Sequence, residues 1–178
     1  NDLASYVQEK VSTNEKVELN FICTHNSRRS HIAQLWAQTA AAYYKVDRVF
    51  CYSGGTEATA FNPRAVSAMQ RAGFDITKIT EGENPVYEVR FAEERTAVLA
   101  YSKTYDATNN PRNRFAAIMT CSHADQNCPF VPGASARFPV MYDDPKDFDG
   151  TPREAETYWE RVLQIGCEML YVFSRVNR

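Results

Sequence analysis

The stretch VELNFICTHNSRRS, running from Val17 to Ser30, decides how this chain folds. Val17 to Cys23 is a compact, largely apolar run suited to a buried strand, and the polar THNSRRS that follows ends it abruptly. From Ser30 to Tyr44 the pattern turns helical: Ile32, Leu35, Trp36 and Thr39 recur at helix spacing among helix-favouring alanines. A loop between a buried strand and a helix turns successive backbone N–H groups toward one point. The helix dipole adds partial positive charge there.

Cys23 heads that loop and faces those donors, which favour a thiolate over a thiol. Arg29, six residues on, can return to the same centre and clamp two oxygens of a tetrahedral anion with its planar guanidinium. Ser30 can hydrogen-bond the sulfur as it leaves, and Asn26 can brace the loop. Thr24, His25, Ser27 and Arg28 complete the turn of backbone around the anion. A bare Cys-x5-Arg spacing is a weak signal; the strand before, the helix after and the serine next to the arginine make it strong. The competing reading is a structural cysteine beside two surface arginines. Adjacent arginines at a helix start oppose the dipole unless an anion is bound, so that reading is disfavoured.

Outward from this core, residues 2–16 read as a short amphipathic helix with Leu3, Tyr6, Val7 and Val11 on one side. RVFCYSGG (48–55) reads as a second buried strand. Asn62-Pro63 opens a helix that Gly73 closes. Between 85 and 101 lie two strand-like runs, VYEVRF and TAVLAY, separated by a charged turn. FAAIMTC (115–121) is the next strong strand and runs into SHADQNCPFVPG. ARFPVMY (136–142) is a further short strand followed by DDP. The run from Pro152 to about Val176 reads as a long helix buried through Tyr158, Val162, Ile165, Met169 and Val172. Alternating strands and helices imply a mainly parallel sheet covered on both faces, with ligands beyond the carboxyl ends of its strands. Residues 23–30, 121–128 and 143–145 all follow strands and are expected to converge there.

Composition narrows the function. A net charge of −2 offers no basic excess for nucleic acid. No run of about 18 apolar residues suits a transmembrane helix, and the mixed-charge first residues do not resemble a secretory signal. Five scattered cysteines do not form a secreted disulfide framework; reduced thiols in a cytoplasmic protein are expected. Cys51 and Cys167 are expected in the core. His25 is placed at the pocket mouth, His31 and His123 at polar surface or loop positions, and Trp36 and Trp159 in helix packing.

The loop resembles the phosphate-binding loop of low-molecular-weight protein tyrosine phosphatases and of the arsenate reductases that share their fold. The resemblance implies a three-layer α/β sandwich around a central, mainly parallel sheet. It implies one domain over residues 1–178, in which the N-terminal helix and an insertion near 80–114 exceed the compact family core. In this family the cysteine is the nucleophile, the arginine binds the oxyanion, and an Asp-Pro supplies the general acid. Here that pair is Asp144-Pro145, with Asp143 as a rival to Asp144; the bland reading of Asp-Pro is a turn.

CSHADQNCP, which contains Cys121 and Cys128, is similar to the corresponding stretch of thioredoxin-coupled arsenate reductases. The likeness implies the following chemistry. Cys23 attacks arsenate, Cys121 attacks Cys23 and releases arsenite, and Cys128 moves the disulfide outward for thioredoxin to reduce. Zinc ligation by Cys121, His123 and Cys128 lacks a fourth ligand, and inert buried thiols are the other alternative. The sequence departs from the family at His25, where glycine is usual, and at Arg28, where cysteine is frequent. Arg28 is expected to stabilise the thiolate further or to contact a second anionic group. Gln34 stands where some of these reductases carry an acidic residue near a potassium site, so no metal and no cofactor are expected. The alternatives in function are a phosphatase acting on phosphotyrosine or another phosphomonoester with Cys23, Arg29 and Asp144, and a non-enzymatic oxyanion-binding or redox-sensing module.

Overall fold

The computed structural model describes residues 1–92 and 96–177. Four strands make its frame: β1 (Val17–Cys23), β2 (Val49–Gly55), β6 (Phe115–Met119) and β7 (Ala134–Pro139). They form an all-parallel sheet in the order β2-β1-β6-β7. β1 and β6 lie in the middle and are almost entirely buried, as expected of strands covered on both faces. Side chains alternate between the faces. Leu19, Phe21, Ala116 and Ile118 enter the larger core, and Ile22, Ala117 and Met119 enter a smaller one opposite.

Helices α2 (Arg29–Tyr43) and α5 (Glu154–Ser174) pack on the larger core. Tyr158, Val162, Ile165, Met169 and Val172 of α5 are all buried there. α1 (Asp2–Ser12) contributes Leu3, Ala4 and Val7, and stops short of the expected residue 16. α3 (Pro63–Arg71) starts where the Asn62 side chain accepts the Arg64 N–H, with proline in the first turn. The smaller core is closed by α4 (Ser122–Asn127), a helix where the sequence shows only a polar segment.

A second, antiparallel sheet joins β3 (Asp75–Lys78), β4 (Tyr87–Arg90) and β5 (Val98–Ala100). β4 and β5 are the two expected strands, trimmed, while β3 carries no sequence signal of its own. The charged turn between β4 and β5 lies partly outside the described residues. No helix among the described residues is long and apolar enough to cross a membrane.

Candidate active site

The loop after Cys23 is held from outside by its carbonyls. Thr56 N–H donates to Cys23 O at 3.1 Å, Glu57 N–H to Thr24 O at 3.0 Å and Asn62 N–H to Ser27 O at 2.9 Å. The Ser102 hydroxyl donates to His25 O at 2.9 Å. In a trans peptide the N–H points opposite its carbonyl, so outward carbonyls turn the loop's amides inward. The first turn of α2 has no side-chain cap, which leaves its N–H groups for an anion. Gly55, the partner of Cys23 in the β1–β2 register, lies against this loop.

Asn26 adopts φ 45°, a left-handed turn that asparagine tolerates better than most residues. Its amide nitrogen donates to Ser30 Oγ at 2.8 Å, and its side-chain oxygen accepts the Lys103 N–H at 2.9 Å. Ser30 Oγ, having accepted that bond, keeps its own proton for the Cys23 sulfur 3.0 Å away. Cys23 itself is buried.

Arg29 donates to Asp144 Oδ2 at 2.6 Å and to Tyr142 O at 2.9 Å. The other Asp144 oxygen accepts the Lys146 N–H at 3.1 Å, capping a 3-10 turn (Pro145–Phe148). Asp143 is exposed and faces Arg161 at 3.7 Å. The Arg28 side chain is buried and turns toward α5, donating to the Tyr158 hydroxyl at 2.8 Å and lying 3.7 Å from Asp149. It also lies 3.9 Å from Asp144. It is an internal tie between loop and α5, engaged with carboxylates of the chain itself. His25 is at the loop's exposed side, 3.0 Å from Glu57.

Cys121 ends the segment after β6 and caps α4, its sulfur accepting the Ala124 N–H at 3.3 Å. Thr24 Oγ1 lies 3.5 Å from that sulfur and 3.1 Å from His123 Nδ1. Cys128 closes α4 at its other end and is half-buried; burial pushes its thiol pKa up, with Arg137 opposing. Arg137 fixes this end of the helix through the Asp125 and Cys128 carbonyls, at 2.7 and 3.3 Å. Cys23 and Cys121 belong to one small apolar cluster, and Cys128 packs against it.

Two expectations fail. His31 is fully buried, not on the surface: it stacks on Phe61, and burial, reinforced by the Lys103 charge, holds its pKa well below the ordinary histidine range. Cys167 is exposed on α5 rather than in the core, whereas Cys51 is buried as expected. The contacts that Lys103, Ser102, Thr56, Glu57 and Asn62 make with the loop carry no sequence signal. These residues meet the loop from far along the chain, and no local pattern marks the contact.

Burial lowers the Lys103 pKa to about 8 from 10.5. Below pH 8 the ammonium is charged in both folded and unfolded chain, and folding bears its full desolvation. Between about 8 and 10.5 only the unfolded chain binds the proton, so stability rises with pH through that window. Lys103→Met is therefore expected to stabilise the protein by about 2 kcal/mol at pH 7. Denaturant titrations should show the gain shrinking as pH rises toward 10.5. A gain independent of pH would contradict this account.

Arsenate reductase 2 of Bacillus cereus (strain ATCC 10987 / NRS 248) is 33% identical to this chain over 153 residues, covering 84% of it and 94% of the relative. The arsenate reductase of Halalkalibacterium halodurans is 32% identical over 165 residues, covering 93% and 99%. The chain belongs to the arsenate reductase family. Among solved structures, a low-molecular-weight protein tyrosine phosphatase from Bacillus subtilis superposes with TM-score 0.57 at 14% identity, covering 89% of this chain and 96% of that one. A low-molecular-weight phosphotyrosine phosphatase from Vibrio cholerae gives 0.56 at 12%, covering 89% and 94%. At these identities the likeness concerns the fold, the three-layer α/β sandwich with its parallel sheet. No protein-family model matches the chain. As an arsenate reductase family member, the protein carries its loop, Asp-Pro and cysteine pair at the carboxyl edge of one sheet.

Proposed function

We propose that this protein reduces arsenate to arsenite, with Cys23 as nucleophile and Cys121 and Cys128 as a disulfide relay regenerated by thioredoxin in the cytoplasm. The observation that carries the reading is that all three thiols meet at one apolar cluster beside an anion-binding loop. Arg29 and the inward amides hold the oxyanion, Ser30 supports the Cys23 sulfur, and Asp144 serves as the proton donor to the departing oxygen. Cys23 displaces water from arsenate and forms a sulfur–arsenic bond. Cys121 then attacks Cys23: a disulfide forms, the sulfur–arsenic bond breaks with its electron pair left on arsenic, and As(V) becomes As(III). Cys128 attacks Cys121 and displaces Cys23 from that disulfide. Its half-buried position at the end of a short helix supports hand-over to an external dithiol. Phosphomonoester hydrolysis needs only Cys23, Arg29 and Asp144, and would leave Cys121 and Cys128 idle.

The test is arsenate-dependent NADPH oxidation with thioredoxin and thioredoxin reductase. Wild type turns over continuously. Cys128→Ser releases one equivalent of arsenite and stops with Cys23 and Cys121 joined; Cys121→Ser releases none. Steady turnover in either variant sinks the relay.

A further inference from the structure

Attack by a cysteine requires its thiolate, yet Cys121 is only 1% exposed, so bulk water has no direct route to its proton. Two polar groups reach the sulfur: the Ala124 N–H, which donates at 3.3 Å, and the Thr24 hydroxyl at 3.5 Å. A proton can leave only toward the hydroxyl, because an amide N–H cannot accept one. That hydroxyl lies 3.1 Å from Nδ1 of His123, an exposed residue. A hydroxyl can accept one proton and donate another at once, so Thr24 joins a buried thiol to a solvent-facing imidazole.

We propose that His123 takes the Cys121 proton through the Thr24 hydroxyl and so sets the pH range over which Cys121 is nucleophilic. In this step the S–H proton passes to the Thr24 oxygen as the Thr24 proton passes to Nδ1. The thiolate left behind is supported by the Ala124 N–H, and the imidazolium stays protonated as its counter-charge until the sulfur has attacked, then returns its proton to solvent. His123 acts through Thr24 and is a positioning residue for proton transfer, while the reacting sulfur remains that of Cys121.

The surroundings leave His123 free for this task. On its own segment the titratable groups are Cys121, Cys128 and Asp125, and Asp125 is bound to Arg137 of β7 at 2.5 Å. Tyr105, from the segment after β5, packs on the same cluster; β1 brings Cys23, and β6 brings only apolar side chains. Among the described residues, Thr24 is the hydrogen-bond partner of the His123 ring.

The proposal extends the relay reading of this site but can be tested without arsenate. In the full-length Cys23→Ser/Cys128→Ser protein, the Cys121 thiolate is followed by its ultraviolet absorbance from pH 5.5 to 9.5, as the difference from the same protein carrying Cys121→Ser, which needs no reagent to enter the buried site. With His123 present, the thiolate is expected to form at lower pH than in its absence. His123→Asn keeps a hydrogen-bonding partner for Thr24 but cannot titrate. It is expected to move thiolate formation to higher pH and to leave at least about tenfold less thiolate at pH 7. Thr24→Val should give the same profile, and His123→Asn combined with Thr24→Val no further loss, because both interrupt one path. Superimposable profiles before and after His123→Asn overturn the proposal, as do fully additive losses in the double variant. A second arm follows Cys23–Cys121 disulfide formation from arsenate in Cys128→Ser, where the same pH displacement is expected. A displaced thiolate profile with no disulfide from arsenate would uphold the proton path and reject arsenate as substrate.

Discussion

Cys23→Ser is expected to abolish arsenite formation, lowering turnover by more than about 10⁴-fold. The substitution is nearly isosteric, and serine can keep the contact with Ser30 that the cysteine makes at 3.0 Å. The loop does not depend on the sulfur for its shape: its carbonyls are bound by Thr56, Glu57, Asn62 and Ser102, and Asn26 is tied to Ser30 and Lys103. Fold and anion binding should therefore survive while chemistry stops, because a hydroxyl is a poor nucleophile at neutral pH and cannot enter a disulfide. The measurement pairs thioredoxin-driven NADPH oxidation with phosphate binding by calorimetry. Binding retained with turnover lost is the expected pair; turnover retained would remove Cys23 from the reaction and the loop assignment with it.

Gly55→Ala is expected to be nearly as damaging, although residue 55 takes no part in the reaction. A Cβ there would sit 2.3 Å from the Glu57 carbonyl oxygen, 2.6 Å from that of Thr24 and 2.7 Å from the Asn26 nitrogen. All three are backbone atoms, so no side chain can swing aside. The glycine is also held by Lys103 O and Tyr105 N, each at 2.9 Å, so it cannot back away. The loop must give instead. We expect a loss of about 3 kcal/mol in unfolding free energy and about 10²-fold in arsenate turnover, since displacements near 1 Å are enough to spoil a reacting geometry. Urea unfolding and kinetics check the two together; an unchanged midpoint would contradict the packing described for this strand end.

How much of this can be read from the sequence depends on whether the signal is local. β1, its loop and α2 are contiguous, and each carries its own pattern, so strand, turn and helix are legible at once. The buried stripe of α5 is equally plain, and the same helical arithmetic could place Cys167 outside it: it falls between Ile165 and Met169 but off their face. His31 misleads because its burial is made by Phe61, brought in from a distant segment. The partners of Arg28 could not be read either, since Tyr158 and Asp149 lie far along the chain. α4 escapes because SHADQN is polar and short, and its start is fixed by a cysteine sulfur in place of a usual cap. β3 owes its existence to antiparallel pairing with β4 rather than to its own four residues.

The contact between Arg29 and Asp144 has a further consequence for selectivity. At 2.6 Å the guanidinium already holds a carboxylate oxygen, so the resting pocket supplies its own anion. An incoming ion must displace or share that partner, and entry is an exchange rather than the filling of a vacant charge. Monovalent ions such as chloride gain little from such a trade. A divalent tetrahedral oxyanion, offering two oxygens to the fork of Arg29 and others to the loop amides as proposed, would win it. On the proposed reading the carboxylate would act as a resident competitor that raises the threshold for occupancy; released beside the substrate, it would be free to take up the proton it then gives to the departing oxygen.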